Sequence, residues 1–399
     1  MINNCIDINN FNKSEKTNVI FVFVGQCTHW SDMSKELYEK EIVFRNEMDR
    51  IDNWFKDKYY GYSMLEKLRK TDDAKSEELM EQNLSHSILF MFQISIFKLF
   101  KHYGVEPNLI FGCSCGEISA SYCSGIFDFE NACDILYNRA KLQKKTIKLS
   151  DTIDNDHNVD NFMTKFENGL LKINIGPDEF NDFYSKKYPN IEIAIYCDEN
   201  SLIVGGKNKD LIELSNEITK LGIFSKIIPV PTSFHTSSQE IIKDEVMNLK
   251  LNHLKYSIPT QPKSNIPMIS SVNCKFFKVL NNDENVNFNE LDNNIEKIDK
   301  KMILFDNEYL YKNIRDPIKY PQTVKSLFNH IETNNLGKKV TVIEIAPHPI
   351  LINHILSIIP NDGYFNHNSI LLLCPLYKGK SDTTEFFSSV DKFNNFKSK

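Results

Sequence analysis

Asn108-Leu109-Ile110-Phe111-Gly112-Cys113-Ser114-Cys115-Gly116-Glu117-Ile118-Ser119-Ala120-Ser121-Tyr122 reads as an apolar strand, a tight turn and a helix, with a serine at the turn. G-x-S-x-G in that setting forms a nucleophile elbow. Glycines permit the sharp, strained turn, and the serine hydroxyl is pushed out at the end of a sheet, within reach of a histidine. The N–H of Cys115 faces the N-terminal end of the helix, where a developing oxyanion is stabilised. The same five-residue pattern also occurs by chance, so the weight rests on its strand and helix flanks.

The chain has 399 residues, enough for one large domain or two or three modest ones with a sizeable core. A hydrophobic content of 41% and a charged content of 25% fit a soluble globular protein. The net charge of -6, with no basic stripe to offset it, argues against a nucleic-acid partner. Met1–Asp7 has neither a basic start nor an apolar segment, so no signal peptide is expected. The most apolar run, Ile88–Phe100, is too short for a bilayer and carries Gln93, Ser95 and Lys98; it reads as a buried core helix, and no membrane association is expected. Nine irregularly spaced cysteines point to reduced thiols and a cytoplasmic location. Cys27, His29, His86, Cys113 and Cys115 lack C-x-x-C or H-x-x-H spacing, so no metal site is expected.

Residues 1–16 are polar and are expected to be disordered. Asn18–Val24 then reads as a central strand buried on both faces and breaks at Gly25-Gln26-Cys27, which places the Gln26 amide where it could face the elbow. Ser31 or Asp32 is expected to cap a helix carrying Leu37, Ile42, Val43 and Met48. Phe127–Thr146 reads as a helix with Arg139 and Gln143 on one face; Arg139 is either a surface ion-pair residue or a clamp for a substrate carboxylate. A polar connection near residue 150 precedes strands and helices in the order β-α-β-β-α-β, that of a ferredoxin-like unit, which ends at Ser225–Val230. The chain then reaches Phe234-His235, where His235 is a candidate partner for Ser114. Residues 281–299 read as a flexible Asn/Asp-rich loop. Asn313-Ile314-Arg315-Asp316-Pro317 ends a helix, His348 sits between two prolines as a rigid turn, Ile370–Cys374 is the last strand, and 378–399 is a polar tail.

Taken together, these pieces resemble the acyltransferase domain of type I polyketide and fatty acid synthases, a family that includes the malonyl-CoA:acyl carrier protein transacylases. The resemblance runs from about Asn18 to Tyr377 and rests on Gly25-Gln26, Gly112–Gly116, Arg139 with Gln143, Ser233-Phe234-His235, Tyr309–Pro317 and Glu344–Pro349. It implies an α/β fold: an α/β-hydrolase-like large domain (17–152 and 231–377) with a central, mostly parallel sheet, and an inserted ferredoxin-like subdomain (153–230). It also implies roles. Ser114 would be acylated, with His235 as general acid and base. Gln26 and Cys115 would supply the oxyanion hole, a backbone carbonyl near Asn313 would orient the imidazole, Arg139 would bind a malonyl-type carboxylate, and Phe234 would favour malonyl. The acyl group would come from an acyl-CoA, with malonyl-CoA expected, and pass to the phosphopantetheine thiol of an acyl carrier protein or synthase in trans, without a bound cofactor.

The sequence departs from the family at several positions. Cys113 stands where the family has His, Cys27 where it has Gly, His29 and His86 where it has Gln, and Cys197 where it has Asn. With no room for a ketosynthase or carrier domain, the expectation is a freestanding malonyl-type acyltransferase. The alternatives are a catalytically degenerate relative that binds acyl-CoA or a synthase partner, and a generic esterase, which would leave Arg139 and the Gly25-Gln26 loop unexplained.

Overall fold

The structure is a computed structural model that describes residues 17–26, 29–70, 79, 81–150, 165–249, 266–277, 302–361 and 363–398. The expectations for 1–16 and 281–299 lie outside the described residues, as do Cys27 and the connection at 151–164.

In chain order the strands are β1 (Asn18–Phe23), β2 (Leu109–Gly112), β3 (Asn168–Ile173), β4 (Glu192–Asp198), β5 (Ser201–Lys207), β6 (Ser225–Ile228), β7 (Met268–Ile269), β8 (Phe276–Phe277), β9 (Met302–Ile303), β10 (Ile318–Lys319), β11 (Val340–Ile345) and β12 (Ile370–Leu373). The helices that matter for the site and its support are α1 (Ile42–Phe55), α2 (Gln82–His102), α3 (Gly116–Ser124), α4 (Phe129–Gln143), α5 (Asn208–Lys220), α6 (Asn307–Arg315), α7 (Tyr320–Thr333) and α8 (Asp382–Ser398).

The large sheet has the order β12-β11-β1-β2-β7-β8-β9. From β12 to β7 every pairing is parallel, and only β7–β8 is antiparallel. β1 lies between β11 and β2, with Phe23 opposite Ile345 and Gly112, and all of it is buried, as its unbroken apolar run requires. α2 packs over this centre: Phe97 and Phe100 meet Phe21 at ring separations of 5.9 and 5.6 Å. The mostly parallel α/β core expected from the sequence is present. Among the described residues no helix is long and apolar enough to cross a membrane.

The small sheet has the order β10-β4-β5-β3-β6. Its four inserted strands pair antiparallel in the ferredoxin-like arrangement, with α5 buried against β3 and closed by Gly222 at φ 76°. The fifth strand, β10, comes from the large domain and pairs parallel to β4 through Ile318 and Ile195. Leu170, Ala194, Val230 and Phe234 form a separate apolar cluster at the return to the large domain.

Two local expectations fail. The helix read through Leu37, Ile42 and Val43 is broken at Glu41, whose extended backbone separates Lys35–Lys40 from α1, and Ile42 is 58% exposed. Neither Ser31 nor Asp32 caps it. Ser34 stands at the N-cap, but its hydroxyl donates to the Met33 carbonyl at 2.6 Å and does not cap the helix, and Asp32 and Ser34 both have positive φ. The polar tail also folds: α8 buries Phe386, Val390 and Phe393, with the Phe386 ring 4.9 Å from that of Phe100.

Candidate active site

β1 and β2 end side by side, and the site opens at their carboxyl ends, where parallel α/β sheets place ligands. Cys113 N–H donates to the Phe23 carbonyl at 2.8 Å, after which the chain reverses into α3. Two glycines make that reversal possible. A Cβ on Gly116 would lie 2.3 Å from the Val24 carbonyl oxygen, and one on Gly112 would lie 2.5 Å from the Glu117 nitrogen. Ser114 takes the strained conformation at φ 56°, and a Cβ on Gly25 would come within 3.1 Å of the Ser114 Cβ, so the β1 loop lies directly against the serine. Buried Gln93 on α2 holds this end of the sheet together by donating to the carbonyls of Val24 (2.9 Å) and Ile345 (3.1 Å).

His235 arrives from the other side, in the loop that follows β6 and the Phe234 cluster. Its Nε2 lies 2.8 Å from Ser114 Oγ and its Nδ1 lies 3.1 Å from the Asp316 carbonyl oxygen. Because that carbonyl can only accept, Nδ1 carries the proton and Nε2 is left as the acceptor for the serine hydroxyl. His235 also has positive φ, 60°, so both members of the pair are held in strained backbone. Burial, reinforced by the Arg139 cation, pulls the His235 pKa down to about 3, so the imidazole is neutral at pH 7. Such a pair is arranged to move a proton from the hydroxyl to the ring as Oγ attacks.

The orienting carbonyl is that of Asp316, three residues after Asn313. Asn313 side-chain atoms are engaged elsewhere: Oδ1 accepts from Arg139 Nη1, and Nδ2 donates to Glu117 Oε2 at 2.8 Å. The proline at 317 sets this difference. It ends α6, whose C-cap Asp316 is extended, and it is the Asp316 carbonyl that lies against His235.

Among the described residues Arg139 is the largest side chain that is fully buried. Its Nε donates to Gln143 Oε1 at 3.2 Å, as the i, i+4 spacing on α4 predicts, and its Nη2 lies 3.3 Å from Ser114 Oγ. Among the described residues no carboxylate pairs with it directly. Burial lowers its pKa, yet a guanidinium stays protonated at neutral pH. Glu117 stands one link away, ringed by Tyr309, Ser271 and Asn313, and burial pushes its carboxyl up to about 7 against those hydrogen bonds.

The backbone amides of Gln26, Cys115 and Gly116 lie near the buried Cys115 thiol and offset part of the rise that burial gives its pKa. The Gln26 side chain is tied to α2: its Oε1 lies 2.9 Å from His86 Nε2, which is also 3.0 Å from Gln82 Nε2. His86 is 2% exposed and neutral through burial, and among the described residues its Nδ1 has no hydrogen-bond partner. His29, also buried and neutral, bonds the Leu79 carbonyl through Nε2, and its Nδ1 has no partner among the described residues. Phe234 is 4% exposed and packs on Leu170, Ala194 and Val230. Glu117, Asp316 and the His86–Gln26 contact were not read from the sequence. Only the position of Glu117 beside the elbow glycine signals one of them.

Residues 20–154 match the family model described as "Acyl transferase domain". The chain carries an acyl transferase domain. It is 36% identical over 383 residues to "Probable polyketide synthase 25" of Dictyostelium discoideum, and 36% identical over 386 residues to "Probable polyketide synthase 24" of the same organism. Both alignments take in 96% of this chain and 14% of the synthase, so the chain spans about one-seventh of the length of these curated relatives. The domain superposes on a loading acyltransferase from the avermectin modular polyketide synthase with a TM-score of 0.70 at 21% identity, covering 94% of this chain and 100% of that one. With MCAT from Streptococcus pneumoniae the TM-score is 0.64 at 14% identity, again over 94% and 100%. At these identities the superpositions establish the acyltransferase fold.

Proposed function

We propose that this acyltransferase domain takes an acyl group ending in a free carboxylate, of the malonyl type, from a CoA thioester onto Ser114 and passes it to the phosphopantetheine thiol of a carrier protein. One observation carries the reading: a fully buried guanidinium 3.3 Å from the serine oxygen, held by neutral groups and lacking a directly paired carboxylate among the described residues. An unpaired buried cation is costly, and a planar fork is the side chain best matched to a carboxylate.

In the first half-reaction Ser114 Oγ attacks the thioester carbonyl while His235 Nε2 takes its proton. The oxyanion is met by the N–H groups of Gln26 and Cys115. Collapse breaks the carbon–sulfur bond, and the departing CoA thiolate receives the proton from His235. In the second half-reaction a phosphopantetheine thiol gives its proton to His235 and attacks the Ser114 ester. A thioester forms, the ester bond breaks, and the proton returns to Oγ.

The test is intact-protein mass spectrometry after incubation with malonyl-CoA, methylmalonyl-CoA or acetyl-CoA, with Ser114→Ala as control. A malonyl adduct absent from Ser114→Ala is the expected result. No adduct from any donor, on protein shown to be folded, would favour a non-catalytic role in binding acyl-CoA or a synthase. Turnover of a p-nitrophenyl ester with no transfer to a carrier thiol would favour an esterase.

A further inference from the structure

Arg139 is held in place by a residue that it does not touch. Four donors converge on the buried Glu117 carboxylate: Ser271 N–H and Ser271 Oγ–H on Oε1, each at 2.7 Å, and Tyr309 O–H at 2.6 Å and Asn313 Nδ2–H at 2.8 Å on Oε2. While those bonds are made, the carboxylate acts only as an acceptor. It therefore fixes the direction of the Asn313 amide, with the NH2 toward Glu117 and Oδ1 toward the Arg139 guanidinium. A flipped amide would set its NH2 against the cation and leave Oε2 facing a carbonyl oxygen. Gln143 holds Nε from the other side, and the remaining Nη2 edge is left facing Ser114 Oγ.

We propose that Glu117 is a positioning residue that, through the Asn313 amide, fixes the Arg139 guanidinium and so sets the preference of this domain for acyl groups ending in a carboxylate. The proposal rests on the malonyl-type reading above. The three residues come from three elements: Glu117 from α3 just behind the nucleophile, Asn313 from α6 and Arg139 from α4. The link from carboxyl to amide to guanidinium lets Glu117 orient the cation without occupying its donors by direct contact. A carboxylate placed directly on Arg139 would occupy the donors that a malonyl group needs.

The experiment compares Glu117→Gln and Asn313→Asp with the unmodified chain in two assays. One is the rate of Ser114 loading by malonyl-CoA, and the other is the p-nitrophenol burst from p-nitrophenyl acetate, whose acyl group carries no charge. In Glu117→Gln the new amide presents NH2 toward Asn313, which favours the flipped orientation. In Asn313→Asp a carboxylate competes for the guanidinium. Both variants are expected to lose at least tenfold in kcat/KM for malonyl loading, chiefly through KM, with the burst rate kept within about threefold. Loss of both activities in parallel would indicate a general structural role and overturn the proposal. So would malonyl loading by Glu117→Gln at the unmodified rate. If the unmodified chain gives a burst but takes no malonyl, the carboxylate-donor reading itself fails and the proposal with it.

Discussion

At Ser114 and His235 two environmental effects act together on one proton. Burial removes the solvation an imidazolium would need, and the Arg139 cation repels it, so the His235 pKa falls from 6.5 to about 3. The acid limb of Ser114 acylation by p-nitrophenyl acetate is therefore expected well below pH 6.5. In Arg139→Ala its midpoint should move up, since one of the two depressing effects is gone. A midpoint near 6.5 in both proteins would show that the histidine is solvated. The same shift bears on stability. The unfolded chain protonates this histidine at 6.5 and the folded chain only near 3, so its contribution is fully present above 6.5 and is lost as pH falls toward 3, by about 1.4 kcal/mol per pH unit at most. Beside this pair, His86 anchors the Gln26 side chain through Nε2. His86→Gln keeps a group able to bond Gln26 and should hold acylation within about threefold. His86→Leu frees the loop and should lower the burst rate tenfold or more. Equal rates in the two variants would remove His86 from any part in placing Gln26.

Among the elements, α8 is the one whose removal should be felt furthest from its own sequence. Phe386 sits between Phe100 and Tyr103 of the α2 end, at ring separations of 4.9 and 5.7 Å, and Asp382 accepts from the Glu36 N–H at 3.1 Å. Phe386→Ala should cost about 3–5 kcal/mol, the usual range for a buried phenylalanine, read as a lower denaturant midpoint with unchanged slope. A loss under 1 kcal/mol would mean that α8 is only loosely attached. Its sequence, Asp382-Thr-Thr-Glu-Phe-Phe-Ser-Ser-Val-Asp, hides this because its apolar residues are sparse and only the partner helix shows that they are covered. The elements that could be read in advance were those whose own pattern decides their burial: the unbroken run of β1, the apolar α2, and the strand, turn and helix around Ser114. Arg139 with Gln143 was legible for the same reason, since four residues along a helix share one face. What could not be read depends on atoms brought together from distant parts of the chain. The carbonyl that orients His235 comes from Asp316 rather than from the turn holding Asn313, and no residue pattern encodes which carbonyl a kinked helix end will present. Likewise the packing of Phe234, adjacent in sequence to His235, depends on Leu170 and Ala194 of the small sheet, which lie far from it in the chain.

For the molecule as a whole, catalysis needs two bodies in register, because Ser114 belongs to the large sheet and His235 follows the last strand of the small one. Among the contacts that hold that register are the β10–β4 pairing immediately after Pro317, the Arg315–Glu192 ion pair at 3.4 Å, the Lys325–Glu199 ion pair at 3.2 Å, and the His354–Asp198 contact at 2.5 Å. The lysine pair is exposed and is expected to contribute little. The His354–Asp198 pair is different, with side chains only 15% and 14% exposed, and the Asp198 pKa is held below its ordinary value by the Asn200 N–H and His354 in spite of burial. A lowered aspartate contributes stability that is present above its unfolded pKa, near 3.8, and is lost as pH falls through the folded value. A double-mutant cycle with His354→Ala and Asp198→Ala at pH 7 should therefore give a coupling energy of about 1–3 kcal/mol, the range for a charged hydrogen bond, which disappears in the acid range below pH 4. Each single variant should also slow Ser114 acylation, because a tip of the small sheet released from the large domain carries β4, its neighbour β10 and hence the Asp316 carbonyl with it. Coupling below about 0.3 kcal/mol, or acylation unchanged in both variants, would show that the His354–Asp198 pair has no part in holding the small sheet to the serine.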